Sequence, residues 1–314
     1  MKKFARIIGT GSYLPPKIIT NEDLEKTLDT SKEWIVTRTG IEKRHIVENQ
    51  SNCELATIAS QNALKAANIS PKELDLIIFA TTTPDKIFPA TATVLQKALG
   101  ASCPAFDLQA VCAGFIFALT TAEKYIKTNS ANKVLVVGSE TLSRIVDWTD
   151  RSTAILFGDG AGAVVLSSDL NAGILNTKLL SDGNYLPSLQ VNNNYINQHG
   201  FIQMSGNEVF KAAIKHLSIL ALETIKENNI TVDEIDYMIP HQANVRIITA
   251  IAQRINIPMD KVIVTLKDQG NTSAASIPLA IDKAVRDKRI KKNNILLLIG
   301  IGAGFSWGSV LLRF

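Results

Sequence analysis

The sequence predicts an α/β protein made of two copies of one fold, with short strands and helices alternating through each copy. Three observations carry that expectation. Residues 69–78, Ile-Ser-Pro-Lys-Glu-Leu-Asp-Leu-Ile-Ile, line up with residues 230–239, Ile-Thr-Val-Asp-Glu-Ile-Asp-Tyr-Met-Ile, an offset of 161 that also takes residues 133–137 onto 294–298 and residues 64–68 onto 225–229. Self-similarity at one spacing marks a duplicated unit. Residues 76–80, 134–138 and 295–299 are continuously apolar, as central strands buried on both faces are. Phe115, Leu119, Ala122 and Ile126, and later Ile214, Leu217, Leu220 and Ile225, recur at helical spacing.

Taken in order, the apolar residues 4–9 read as a first strand rather than a leader, because Arg6 interrupts the stretch and no small-residue cleavage site follows. A cytoplasmic chain is the expectation. Residues 104–108 form a strand that ends just before Cys112, and residues 163–166 another, after which turn formers at 167–171 join the copies. The division is therefore 1–170 and 171–314. Glycines at 158, 160 and 162 are expected to turn the chain, and the Asn-rich residues 181–200 to form a long surface loop. Residues 237–239 and 261–266 read as strands of the second copy.

Composition narrows the function. The chain has 314 residues, 46% hydrophobic and 20% charged, with a net charge of +4. These values exclude disordered, collagenous and disulfide-stapled classes. No dense basic block with interleaved aromatics points to nucleic acid, and the longest run without a polar side chain, residues 295–305, falls short of the roughly 18 residues of a membrane span. Three cysteines without a Cys-x-x-Cys pair predict no disulfide framework, and none of the four histidines has metal-ligand spacing.

Cys112 stands where a strand ends and a helix begins, so the unpaired N–H groups and macrodipole of that helix favour a nucleophilic thiolate. A small buried hydrophobe suits the position equally well, and that is the reading for Cys53 and Cys103. His241 follows Pro240, which cannot continue a central ladder, and so is presented at the carboxyl edge of the sheet, where open α/β sheets bind ligands. Asn271, in Gln269-Gly-Asn-Thr-Ser-Ala-Ala275, reads alone as a turn or cap residue. The repeat places the 270–273 loop at the corner matching that of Cys112. If the copies pack about a pseudo-twofold axis, Cys112, His241 and Asn271 share a pocket.

A Cys–His–Asn set could serve a papain-like protease, but neither the local sequence nor the fold agrees. The alternative is acyl transfer with decarboxylative carbon–carbon bond formation. Loss of carbon dioxide leaves an electron pair behind, so the site needs two neutral donors for an enolate oxygen and no strong base. The segment Gly300-Ile-Gly-Ala-Gly-Phe-Ser-Trp-Gly308 can bring backbone N–H groups close to a ligand, an oxyanion hole shared with Cys112 N–H.

The motifs Gly9-Thr-Gly-Ser-Tyr-Leu-Pro15, Asp29-Thr-Ser-Lys-Glu-Trp-Ile-Val-Thr-Arg-Thr-Gly-Ile41, Cys112-Ala-Gly-Phe, Phe157-Gly-Asp-Gly-Ala-Gly-Ala163, His241-Gln-Ala-Asn244, Gly270-Asn-Thr-Ser-Ala-Ala275 and Phe305-Ser-Trp-Gly308, in that order along the whole chain, resemble the 3-oxoacyl-[acyl-carrier-protein] synthase III family. The resemblance implies a thiolase-like fold, a five-layer αβαβα sandwich of duplicated halves, in a homodimer. It implies an initiating condensing enzyme of fatty acid synthesis: acetyl-CoA, or another short acyl-CoA, acylates Cys112, and malonyl-acyl carrier protein is decarboxylated and condensed, with CoA thioester as substrate and no cofactor. By the same resemblance His241 and Asn271 serve the decarboxylation. Ala303 N–H joins Cys112 N–H in the oxyanion hole, unless that position needs positive φ. Trp34, Arg38 and Arg151 hold the nucleotide end of CoA, and Asn207, Phe210 and Asn244 its pantetheine arm. Phe157 and Ile301 line the acyl pocket, where Ile301 departs from the family's frequent aromatic residue, and Phe88 reaches it from across the dimer. Lys211 and Lys215, an i, i+4 pair, with Arg246 and Arg254 form a candidate docking patch for the acidic carrier protein; a solvated basic face is the competing reading. A degradative thiolase would need a second cysteine near the C-terminus, whereas the last here is Cys112. A non-catalytic acyl-CoA or lipid-binding protein would not need the intact trio.

Overall fold

The computed structural model describes residues 3–171, 173–194 and 198–314, without the side chains of 193, 194, 198 and 199. The first half contains β1 (Phe4–Tyr13), β2 (Lys17–Thr20), β3 (Lys43–Ile46), β4 (Leu76–Ala80), β5 (Ala105–Leu108), β6 (Lys133–Thr141) and β7 (Asp159–Asp169). The second contains β8 (Ile174–Ser181), β9 (Leu189–Asn194), β10 (Gln198–Met204), β11 (Tyr237–Pro240), β12 (Ile295–Gly302) and β13 (Ser306–Arg313). One sheet runs β1-β7-β6-β4-β5 and the other β8-β13-β12-β11. Strand for strand the orders match, with β4 and β11 parallel to β6 and β12 and the remaining pairs of each shared set antiparallel.

Alternation along the buried strands sorts the layers. Val134 and Val136 of β6, with Leu296 and Leu298 of β12, face inward onto Phe115, Leu119 and Ala122 of helix Gly114–Lys127 and Ile277 and Ile281 of helix Ser276–Arg286. Leu135 and Val137 face outward onto Leu55, Ala59 and Ala63 of helix Asn52–Ala67. Leu297 and Ile299 face outward onto Leu217, Leu220 and Ala221 of helix Gly206–Glu227 and Ile248 of helix Val245–Arg254. Two sheets thus enclose one helical layer and carry another on each outer face. Apolar side chains with both neighbours in a core are the main stabilising term of such a stack.

Three local expectations change. Residues 261–266 do not form a strand: only Val262 bridges Met238, and Gln242 supplies the missing pairing with its side chain, donating to Ile263 O at 3.1 Å and accepting Thr265 N–H at 2.7 Å. Residues 181–200 are not one long loop, because a short 3-10 helix, Gly183–Ser188, leads into the β9–β10 hairpin; residues 195–197 lie outside the described residues. Gly160 and Gly162 do not turn the chain but lie inside β7, where helix Ser276–Arg286 packs close enough that a Cβ on Gly162 would come within 2.7 Å of Leu279 N.

Candidate active site

Cys112, His241 and Asn271 all line one cavity of about 160 Å3 between the halves. Each is held by the end of an apolar element. The turn Val111–Ala113 follows β5 and touches both β12 and the matching turn Ser273–Ala275. Val111 has φ 49° and Ser273 φ 48°, so at this corner the copies superpose at an offset of 162 and the counterpart of Cys112 is Ala274. A branched residue in the left-handed region is strained, and such strain collects at functional sites. Cys112 is buried at 6% exposure.

His241 leaves β11 with its N–H on Ile299 O at 2.8 Å. Its Nδ1 lies 2.7 Å from Ser276 Oγ, which also accepts Gln242 N–H at 3.3 Å. With the hydroxyl donating to Nδ1 while it accepts Gln242 N–H, the ring hydrogen is assigned to Nε2. Burial pushes the His241 pKa down to about 4, so the ring is neutral at pH 7. Asn271 is fixed from the opposite half: its N–H donates to Leu156 O at 2.8 Å and its carbonyl accepts Gly158 N–H at 3.0 Å. Its Oδ1 accepts Ser273 N–H at 2.9 Å, leaving the amide NH2 as the free donor.

The thiolate expectation is corrected. Burial pushes the Cys112 thiol up to about 12, with the Glu140 charge adding to the rise and a Ser273 hydrogen bond opposing it. Removing the sulfur from water outweighs the helix end, so the resting group is a thiol. Cys53 and Cys103 are buried and free.

The glycine-rich segment approaches as closely as expected. A Cβ on Gly302 would lie 2.7 Å from Cys112 N and 2.6 Å from Ala110 O. Positive φ in this hairpin falls on Gly304, at 129°, and not on Ala303. Phe157 and Ile301 line the cavity, with Phe305 and Met204, which sequence patterns did not single out as lining residues. Phe88 is 83% exposed and lies off the cavity of its own chain.

Toward the mouth, the Arg38 and Arg151 guanidinium groups sit 5.8 Å and 5.0 Å from the Trp34 ring centre. Asn244 lines the cavity, caps helix Val245–Arg254 by accepting Arg246 N–H at 2.8 Å, and donates to Arg38 O at 3.0 Å. Phe210 lines the cavity beneath the Arg246 guanidinium, 5.4 Å away. Asn207 is exposed beside the lining residue Gly206. Lys211, Lys215 and Arg246 are exposed near this mouth, whereas Arg254 sits at the far end of helix Val245–Arg254. Among the described residues, no charged side chain lines the cavity.

Ser273, Ser276 and Gln242 escaped the sequence reading. Ser273 and Ser276 are three apart at the start of a helix, a spacing that puts them on one face. That signal was present but ambiguous.

Comparison with known proteins agrees with this geometry. The family model described as 3-oxoacyl-[acyl-carrier-protein (ACP)] synthase III matches residues 106–183, and that of its C-terminal part matches residues 225–314. A beta-ketoacyl-[acyl-carrier-protein] synthase III of Vesicomyosocius okutanii is 70% identical over 314 residues, covering 100% of both chains. One from Methylococcus capsulatus is 52% identical, again covering 100% of both. The crystal structure of a 3-oxoacyl-[acyl-carrier-protein] synthase III from Aquifex aeolicus VF5 superposes with a TM-score of 0.96 at 47% identity, covering 99% of this chain and 100% of that one.

Proposed function

The chain belongs to the 3-oxoacyl-[acyl-carrier-protein] synthase III family, and from that premise we propose how its own residues divide the work of the condensation that initiates type II fatty acid synthesis. It is an acyltransferase of thiolase-like fold. Cys112 Sγ attacks the carbonyl carbon of acetyl-CoA or another short acyl-CoA, the CoA sulfur leaves, and an acyl-enzyme results. The nucleotide end of CoA rests on Trp34, Arg38 and Arg151, and its pantetheine arm passes Asn207, Phe210 and Asn244. Malonyl-acyl carrier protein, docked against Lys211, Lys215, Arg246 and Arg254, then enters with its thioester oxygen between His241 Nε2–H and Asn271 NH2. As the carboxylate departs as carbon dioxide, the electron pair of the broken bond becomes an enolate held by those donors. The carbanion carbon attacks the acyl carbon, whose oxyanion meets Cys112 N–H and Ala303 N–H, and the Cys112 sulfur is released.

The observation that carries this reading is a neutral imidazole and a neutral amide beside a thiol in a cavity lined by no charged side chain among the described residues. Proton abstraction would call for a base there. The halves 1–170 and 171–314 each contribute to the pocket, a second copy brings Phe88 to the acyl end, and the chain acts in the cytoplasm. Among the described residues, no helix is long and apolar enough to cross a membrane.

Intact-mass spectrometry after incubation with a panel of acyl-CoAs tests the first half and reads the primer length. Cys112→Ser should gain no acyl mass, whereas His241→Ala and Asn271→Ala should acylate but release carbon dioxide from malonyl-carrier protein about 100-fold more slowly. Normal decarboxylation by both late variants would refute their assignment.

A further inference from the structure

Arg44, on β3, is completely buried, and among the described residues no carboxylate pairs with it. Neutral acceptors hold its guanidinium instead. Nη1 donates to Asn21 Oδ1 at 3.0 Å and to Ile19 O at 3.3 Å, and Nη2 donates to Ile155 O at 2.8 Å. Burial pushes its pKa down to about 10, which still leaves it charged at pH 7. A cation this deep is costly to keep, because no opposite charge offsets its removal from water, and the reaction above gives it no task. Asn21 is equally fixed: its Nδ2 donates to Ile41 O at 2.7 Å and its N–H to Glu42 O at 3.1 Å. The Asn21–Arg44 pair therefore ties β2, residues 41–42 and β3 to Ile155, the residue that ends helix Arg151–Ala154.

The residues after Ile155 form the frame of Asn271. Leu156 O accepts the Asn271 N–H at 2.8 Å, Gly158 N–H donates to Asn271 O at 3.0 Å, and Phe157 between them pairs with Asn271 as a parallel bridge. Arg44 meets this frame a second time through its stem. A Cβ on Gly158 or on Gly270 would lie 3.1 Å from Arg44 Cβ, so the stem packs against both of these glycines. Glu42 N–H adds a further tie, donating to Lys267 O at 2.8 Å just before Gly270. Since Asn271 Oδ1 is occupied by Ser273 N–H, the aim of its free NH2 follows from where this main chain is set.

We propose that Arg44 is a positioning residue for the decarboxylation. It does not line the cavity, but by pinning the Ile155 carbonyl and filling the space beside Gly158 and Gly270 it holds the Asn271 amide where the thioester oxygen arrives. Another long side chain could fill that space. Only a planar fork reaches β2, Asn21 and Ile155 at once, whereas an ammonium is a single point donor. The other two members of the site are fixed by different bonds: His241 by Ile299 O and Ser276 Oγ, and the Cys112 turn by its contacts with β12 and Ser273–Ala275. Loss of Arg44 should therefore be felt selectively in the half-reaction that uses Asn271.

The inference rests on Asn271 serving the decarboxylation, and the test keeps the two claims apart. Arg44→Met keeps a stem and removes the fork. At saturating acetyl-CoA it should acylate Cys112 at the wild-type rate, read by intact mass. The kcat for release of carbon dioxide from malonyl-carrier protein should fall about 10-fold with KM unchanged, as when a donor is misaligned rather than removed. Arg44→Lys, which restores the charge without the fork, should be slowed to the same degree. Added to Asn271→Ala, the Arg44→Met change should slow decarboxylation no further, because the group it positions is gone. Equal loss of both half-reactions, additive loss in the double variant, or wild-type decarboxylation in Arg44→Met would overturn the positioning role. Failure of both Arg44 variants to fold would overturn it too, since the residue would then serve the fold at large. Wild-type decarboxylation by Asn271→Ala would instead overturn the role of Asn271 itself.

Discussion

His241 Nδ1 and Ser276 Oγ lie 2.7 Å apart, and the Gln242 N–H on the same hydroxyl leaves its proton to the ring. The imidazole is thereby held in the form that carries hydrogen on Nε2. Ser276→Ala should let both neutral forms populate. Nitrogen NMR of labelled histidine would show the mixture, and decarboxylation should fall about 10-fold while acylation is unchanged, the scale expected for loss of about 1.4 kcal/mol of ordering. A single unchanged tautomer in the variant would contradict the assignment.

Acid stability should carry the signature of the same ring. His241 binds a proton near pH 4 when folded but near its ordinary 6.5 when unfolded. Between those values the unfolded chain holds more protons, so stability rises with pH across the window and is lost as pH falls through it, by at most about 3 kcal/mol. Urea unfolding from pH 7 to pH 4 should therefore show a steeper acid loss in wild type than in His241→Gln. Parallel curves would mean that the ring is not neutral in the fold.

Gly302→Ala would set a methyl 2.6 Å from Ala110 O and 2.7 Å from Cys112 N, both backbone atoms that cannot swing aside. A cost of about 1–3 kcal/mol is expected, together with slower acylation. Gly206→Ala supplies the control, since the nearest atom to its added methyl is 3.9 Å away. Melting temperature and acylation rate should both fall in the first variant and hold in the second.

Charge reversal at Arg246 should raise the KM for malonyl-carrier protein about 10-fold and flatten its salt dependence without affecting acylation. Arg254 lies about 12 Å further along the helix, and its reversal should matter less. Equal effects at both positions would move the docking centre away from the mouth.

Much of the site was legible because Cys112 and His241 follow short apolar runs that can only be strands, and Asn271 lies at the counterpart of the Cys112 corner in the duplicated fold. The strand–helix alternation followed from the same runs, whereas the five-layer order was implied only by the family resemblance. What was hidden depended on side chains acting in place of backbone. Gln242 mimics a strand partner for residues 263 and 265, which no periodicity reveals. The β9–β10 hairpin escaped because Gln190 and Asn192 alternate with Leu189 and Val191 inside an Asn-rich stretch whose composition suggests a loop.

The main chain of Asn271 is stitched between Leu156 and Gly158 of the opposite half. Drift between the halves would therefore misplace the amide before it loosened either hydrophobic layer. Chemistry in this protein is a gauge of how well two ancestral copies remain seated on each other, and mutations at their seam are felt first as lost turnover.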